Sequence, residues 1–502
     1  MRAVVAPIAL WVIVCAGPPV AAQDGPAPGS ETAPKSEAAP SAEALQRQWL
    51  AAFDRGDYAA AEEALKRHAA LEPDNFVPAY NLACARSMQG DGDGAVQWLI
   101  RAVALGFNDL GQLKRDPSMA LARQHPDCIA LMMRWTEATG VASKDHFERV
   151  KRRYRRGYTY SSDDVLRLHF VSAFDSQTFE QAHDEIRRIA DWARREIFRD
   201  LLDRSRDAED PWVVVILPTH TDFQRWAARA YGGTAQGFFY GIGGHYSHDR
   251  KELVASDLGG TFRHEFLHVL HWRSNTRMGQ VHPVWIQEGL CSLIEDYDLV
   301  GGRIVPSPSW RTNTVKRLAR ANKLPGIERL ARTTREQFTG HRPLSMYAQA
   351  RTFFLYLYQS GKLAQWYAHY TAHYQDDPTG LASIEAVLDM PVEQINREYR
   401  LWLRTLPEVA EQRHPGRASL GVDVGPGAGD GPMIVQVVSR AARKAGLFPG
   451  DVIHSIDGHP ARDLNELVRV LGEYRPGQVV KVAYRRGHRH ESATVALVPR
   501  GG

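Results

Sequence analysis

The sequence predicts a multidomain chain in which an α-helical repeat domain is followed by an α+β domain and then by a small β-rich domain. Three observations predict it. Residues from about 42 to 110 repeat, with Gly56-Asp57 recurring as Gly90-Asp91. Between about 142 and 410, strand-like runs come first and helical periodicity follows, the pattern of an α+β domain. From 416 to 500, short β-like runs flank one helical stretch.

The chain has 502 residues, 44% apolar and 24% charged, a composition able to bury real cores. Its 62 basic and 58 acidic side chains nearly cancel, so no nucleic-acid partner is expected. The basic run Lys151 to Arg156 reads as a solvated surface segment. At the N-terminus, Arg2 precedes an apolar run from Val4 to Val14 and small residues ending at Ala22. This is the layout of a signal peptide over residues 1–22. It predicts an exported protein, periplasmic or extracellular, membrane-anchored if the segment stays uncut. Val14 is too large for a lipid-attachment box at Cys15. No later run reaches about 18 apolar residues, so no stable membrane span is expected after cleavage. Residues 23–41, rich in Pro, Ala, Gly, Ser and Glu, read as a disordered linker. Cys84, Cys128 and Cys291 are too few for a disulfide framework, and a Cys84–Cys128 bridge stays open in an oxidising compartment.

The helical domain spans 42–140. A constant shift superposes Gly56 on Gly90, Ala61 on Ala95, Leu65 on Leu99 and Leu71 on Leu105. Small residues where helices cross, with Gly-Asp at the turn, resemble tetratricopeptide repeats. Residues 111–140 read as further helix capping the stack. Either a plain helical hairpin or a stack that docks a protein partner, or packs on the next domain, fits this pattern.

The α+β domain spans 142–410. Leu166 to Val171 alternates like a half-buried strand, and helical periodicity runs from about 177 to 203. Trp212 to Leu217 is a β-branched strand closed by Pro218; a helix follows over about 220–230. A glycine-rich stretch then carries Gly232, Gly233, Gly237, Gly241, Gly243 and Gly244, and Lys251 to Ala255 reads as a short strand. Beyond it the chain reads as mainly helical to about 406.

The β-rich domain spans 416–500. Strand-like runs lie at Ile434–Val438, Val452–Ile456, Val479–Tyr484 and Ala493–Val498, with a helix at Leu464–Leu471. Leu420-Gly421-Val422, Ala445-Gly446-Leu447 and Pro449 to Ile453 stand where a bacterial PDZ module has them, and the segment resembles a PDZ domain. The resemblance implies a peptide groove between the strand near Met433–Val438 and the helix. The amides of Leu420, Gly421 and Val422 would then receive the carboxylate of an apolar C-terminal peptide.

The chemistry centres on His264-Glu265-Phe266-Leu267-His268. Residues four apart share a helix face, so both imidazoles can reach one metal ion, with Glu265 beside them to take a proton from water. Gly259-Gly260-Thr261 offers the helix start. Trp285-Ile286-Gln287-Glu288-Gly289 follows, with Pro283 suited to the first turn of a second helix. Glu288 is then a candidate third ligand, with Gly289 allowing close packing. His271 is a rival third ligand, but on a continuous helix it sits about 10 Å along the axis from His264. His282 and Glu295 are candidates to support the ligands.

H-E-x-x-H followed by W-x-x-E-G resembles the gluzincin metallopeptidases, most closely the exported peptidase-MA-like proteins and the glycyl aminopeptidase family. The resemblance implies one Zn2+ per chain on His264, His268 and Glu288, with Glu265 as general base. Gln287 departs from the Asn of many relatives, and no aminopeptidase substrate-anchoring motif stands upstream. The resemblance also implies a transition-state donor at Tyr347, which opens a helical stretch; His341 is the alternative. The expected activity is zinc-dependent hydrolysis of a peptide or unfolded protein substrate, held on an edge strand near Lys251–Ala255. The alternative is a catalytically silent scaffold that binds peptides through its repeat and C-terminal modules.

Overall fold

The structure, a computed structural model, describes residues 40–202, 211–231, 243–248, 250–340, 343–411, 416–425 and 427–500. The signal segment, the linker up to residue 39, Gly232 to Gly241 and His341 lie outside the described residues. The chain divides into two compact units, one built mainly from residues up to Val150 and the other mainly from Lys151 onward.

The first unit opens on two successive helical hairpins, α1 (Ala42–Asp54) with α2 (Tyr58–Leu71) and α3 (Phe76–Met88) with α4 (Gly92–Ala104). Their repeat has a local cause. Gly56 and Gly90 take φ of 71° and 85°, which ends the helix before each, and Asp57 and Asp91 cap the helix after it. Trp49, Leu65, Tyr80, Leu99 and Phe107 share one core. Helices α5 (Leu110–Arg115), α6 (Pro126–Met133) and α7 (Trp135–Arg153) follow, so α7 runs through the position where the sequence places a domain boundary. Cys84 and Cys128 are buried free thiols and form no bridge; Cys84 Sγ lies 3.6 Å from Asp116 Oδ2 instead.

The second unit begins with β1 (Thr159–Asp163), β2 (Leu168–Ser172), α8 (Ser176–Glu196), β3 (Trp212–Ile216), α9 (His220–Tyr231), β4 (Gly244–Ser247) and β5 (Glu252–Ala255). They form one sheet in the order β1-β2-β3-β5-β4. β2, β3 and β5 run parallel, and β3 is buried at every position, which explains its unbroken apolar sequence. The strand expected at Lys251–Ala255 exists as β5, but it is interior and fully buried. The edge belongs to β4, which includes one end of the glycine-rich stretch.

Helices α10 (Gly260–Met278) and α11 (Val284–Cys291) come next, then a hairpin of β6 (Tyr297–Val300) and β7 (Arg303–Pro306) inside the stretch expected to be helical. Helices α12 (Trp310–Arg320), α13 (Ile327–Ala331), α14 (Arg335–Thr339), α15 (Pro343–Gln359), α16 (Leu363–Ala372), α17 (Leu381–Leu388) and α18 (Val392–Thr405) complete the helical part.

The C-terminal domain has its own core, including Leu420, Ile434, Ile453, Leu467, Val482 and Val495. Its elements are β8 (Ala418–Ser419), β9 (Val422–Gly425), β10 (Met433–Val437), α19 (Arg440–Lys444), β11 (Val452–Ile456), β12 (His459–Pro460), α20 (Leu464–Gly472), β13 (Val479–Arg486), β14 (Arg489–Ala496) and β15 (Val498–Pro499). The main sheet runs β14-β13-β11-β10-β9. No described helix is long and apolar enough to cross a membrane.

Candidate metal centre

Helix α10 is buried around most of its circumference, from Phe262 to Asn275. It ends at Gly279, in the left-handed region at φ 69°, and α11 starts behind Pro283 as its N-cap. At Gly289 a Cβ would stand 2.5 Å from the Phe354 ring and 3.1 Å from the Ala350 backbone, so α11 rests directly on α15. Gly289→Ala is expected to cost about 1–3 kcal/mol through overpacking, read as a lowered Tm.

These two helices bring His264, His268 and Glu288 together, the one group of this kind among the described residues. His268 Nε2 and His264 Nε2 are 3.1 Å apart, and Glu288 Oε2 lies 3.3 Å from His264 Nε2 and 3.5 Å from His268 Nε2. Tetrahedral zinc ligands at about 2.0–2.1 Å stand about 3.3–3.4 Å from one another, so the three atoms match one face of such a site. The donor set therefore fits the ion.

With no ion between them, the buried groups set one another's charge. Burial opposes the His264 imidazolium, yet the Glu288 and Glu295 carboxylates lift it to about 10. Burial also opposes the Glu288 carboxylate, yet His268 and His264 hold it well below the usual range. At His268 burial wins and keeps the ring neutral at lower pH than an ordinary imidazole. Burial raises Glu265 to about 8, against the pull of His264.

His264 Nδ1 meets Glu295 Oε1 at 2.9 Å, and Arg311 grips that carboxylate through Nε at 2.7 Å and Nη2 at 3.1 Å. This leaves His264 Nε2 for the metal. Glu295→Ala is expected to weaken zinc about 10–100-fold, measured by competition with a chromogenic chelator. His268 is held by the Tyr246 ring, stacked at 4.4 Å and 13°. Tyr246 stands on β4, where a Cβ on Gly244 would lie 2.6 Å from Glu265 Cγ. The edge strand therefore passes against the candidate base.

His271 is no ligand: its Nε2 meets His282 Nδ1 at 2.9 Å, and its ring stacks on Phe198. His282 accordingly supports His271 rather than a ligand. Gln287, the residue before Glu288, donates through Nε2 to the His282 carbonyl and fixes the entry to α11. Tyr347 lies near the start of α15, half-buried, 5.0 Å from the Phe338 ring and 5.8 Å from Arg311 Cζ. Arg311 thus bridges Tyr347 and Glu295.

Sequence reasoning missed Arg311 and Arg335. Arg335 opens α14, adds positive charge near His268 and Tyr246, and has a buried Nη1 with no hydrogen-bond partner. No local motif marks either arginine.

A second site lies in the C-terminal domain. β10 has neighbours on both sides, so the edge available to a peptide is β9, not the strand near Met433–Val438. Leu420, Val422 and Val424 face Leu467, Val468 and Leu471 of α20 across a cavity of about 410 Å³. Gly421 takes φ 72°, a Cβ there would collide with Ser439, and its N–H donates to Ser419 Oγ at 3.0 Å. That amide is engaged within the loop rather than free for a carboxylate.

Residues 418–497 match the PDZ domain family, and this region is a PDZ domain. No curated protein matches the chain. Among solved structures, the HtrA-type protease AlgW with a tripeptide is 28% identical over 17% of this chain and 33% of its own, with TM-score 0.16. The chain thus spans about a third of the length of that structure. A serine endoprotease from Yersinia pestis is 19% identical over 22% of this chain and 37% of its own, with TM-score 0.15. An aminopeptidase N family protein from Idiomarina loihiensis is 14% identical over 68% of this chain and 67% of its own, with TM-score 0.30.

Proposed function

We propose that the chain is an exported zinc peptidase of the gluzincin type, acting on peptide or unfolded protein substrates. The observation that carries this reading is the triangle of ligand atoms at 3.1, 3.3 and 3.5 Å with Glu265 on the next residue. His264, His268 and Glu288 would hold one zinc ion. When bound, the ion supplies a Lewis acid that acidifies water and polarises a carbonyl.

The chain's own groups do the rest. Glu265 takes the proton from the attacking water and hands it to the leaving amine. Glu295, clamped by Arg311, keeps His264 in its ligand tautomer and orientation. The edge strand β4 would offer a backbone ladder on which an extended substrate adds as a strand beside Glu265. Tyr347 or Arg335 donates to the developing oxyanion. The PDZ groove binds C-terminal peptides, and the helical hairpins form a tetratricopeptide-like stack that docks a protein partner.

A silent peptide-binding scaffold is the rival reading. An ionisable carboxylate beside the ligands favours the peptidase, because a structural zinc site has no use for a base. The test is cleavage of an unstructured protein such as casein by the purified chain. Cleavage abolished by a chelator and restored by zinc supports the peptidase; zinc bound without cleavage supports the scaffold.

A further inference from the structure

The PDZ groove is walled on its third side by the peptidase part of the same unit. Asn313, Arg317 and Arg320 share one face of α12 and line the cavity between β9 and α20. They also bind the segment joining the two parts. Asn313 Nδ2 donates to the Val409 carbonyl at 2.8 Å and its Oδ1 accepts from the Val409 amide at 3.2 Å. Arg317 donates to Glu411 at 2.7 Å, and Arg320 donates to Glu408. Gly472 has no side chain, and a Cβ there would stand 2.6 Å from Ala410 Cβ, so the segment closes against α20. Arg417 and Arg500 complete a rim of four arginines against Glu408 and Glu411, a surplus of positive charge that suits a terminal carboxylate.

Both helices that line the groove also end on one residue of the metal centre. The first turn of α12 holds the Glu295 carboxylate through Arg311. The opposite face of α20 carries Glu466, which accepts from Arg263, the residue before His264. Arg263 in turn donates to the Glu295 carbonyl at 2.6 Å and the Ile294 carbonyl at 3.0 Å. It is fully buried, and its other carboxylate partner, Glu185, also accepts from Arg462 of the PDZ domain.

We infer that the PDZ groove is an effector site: a peptide with a free apolar C-terminus, bound between β9, α20 and α12, is read at the zinc site through Glu295. The inference deepens the peptidase reading and rests on it for the zinc site alone, not for turnover. A peptide that needs more room than the cavity of about 410 Å³ moves α12 or α20, and either movement reorients the group that sets His264. Coupling between two sites is reciprocal, so the peptide must alter zinc affinity and zinc must alter peptide affinity by the same factor.

The probe is a decapeptide ending in three apolar residues with a free carboxylate, its C-terminal amide serving as control, both used with the full chain. Zinc affinity is measured by chelator competition with and without peptide. The free acid is expected to shift the zinc Kd about 5-fold or more, and the amide to leave it unchanged. Peptide binding with no shift in zinc affinity overturns the inference, as does failure of the free acid to bind. Zinc coupling without any proteolysis would retire the peptidase reading and leave the inference standing. Glu466→Gln should keep peptide binding and reduce the shift, the Arg311 route through α12 remaining. If that variant folds poorly, the acid-against-amide comparison on the wild-type chain decides the matter unaided.

Discussion

Glu265→Gln is expected to lower kcat by about 10²–10⁴-fold while zinc remains bound, the range typical of a lost general base. The amide keeps the shape of the side chain and the packing under Gly244, where a Cβ would approach Glu265 Cγ to 2.6 Å. It removes only the ability to accept and return a proton. Without an ion in the site, burial raises the wild-type carboxyl to about 8, against the pull of His264. Single-turnover cleavage of a quenched peptide, run beside metal analysis, checks both halves. Wild-type turnover in the variant would remove Glu265 from the mechanism, and loss of zinc would make it a ligand instead.

Tyr347→Phe is expected to lower kcat by about 10²–10³-fold, the cost of one lost oxyanion donor, with zinc content, KM and Tm nearly unchanged. The ring is placed by Phe338 at 5.0 Å and by Arg311 at 5.8 Å, and both contacts survive the substitution. A donor that acts in the transition state lowers kcat when it is lost and leaves ground-state binding in place. An unchanged kcat would pass the donor role to Arg335, whose Nη1 is buried with no partner. A lowered Tm would give the hydroxyl a structural bond.

What the sequence makes legible is what depends on near neighbours. His264 and His268 share a face because a helix turns every few residues, and α10 follows from that spacing. The Gly56-Asp57 and Gly90-Asp91 turns are likewise set by one left-handed residue and one cap. Trp212 to Ile216 is apolar throughout because β3 is covered on both faces.

Other features depend on residues far apart in the chain. Arg311 reaches Glu295 and Arg263 reaches Glu466 across the fold, and no spacing announces such pairs. β4 is four residues beside glycines, too short for a periodic signal, so the edge position went to its neighbour β5. In the PDZ domain the more apolar run at β10 drew attention, although an edge strand such as β9 is the one a ligand extends. The β6–β7 hairpin was within reach: Val300-Gly301-Gly302-Arg303 is a two-residue turn, with φ of 58° and 77° at the glycines.

The central claim is the three-residue zinc site, and the most direct measurement of it is metal content by mass spectrometry on the purified chain and on Glu288→Ala. The ligand atoms of His264, His268 and Glu288 lie within 4.8 Å of one another, and a site of this kind needs all three. One zinc per wild-type chain is expected, with a sharp loss in the variant and the fold intact by circular dichroism. A wild-type chain that takes up no zinc, or a Glu288→Ala variant that retains it in full, would contradict it.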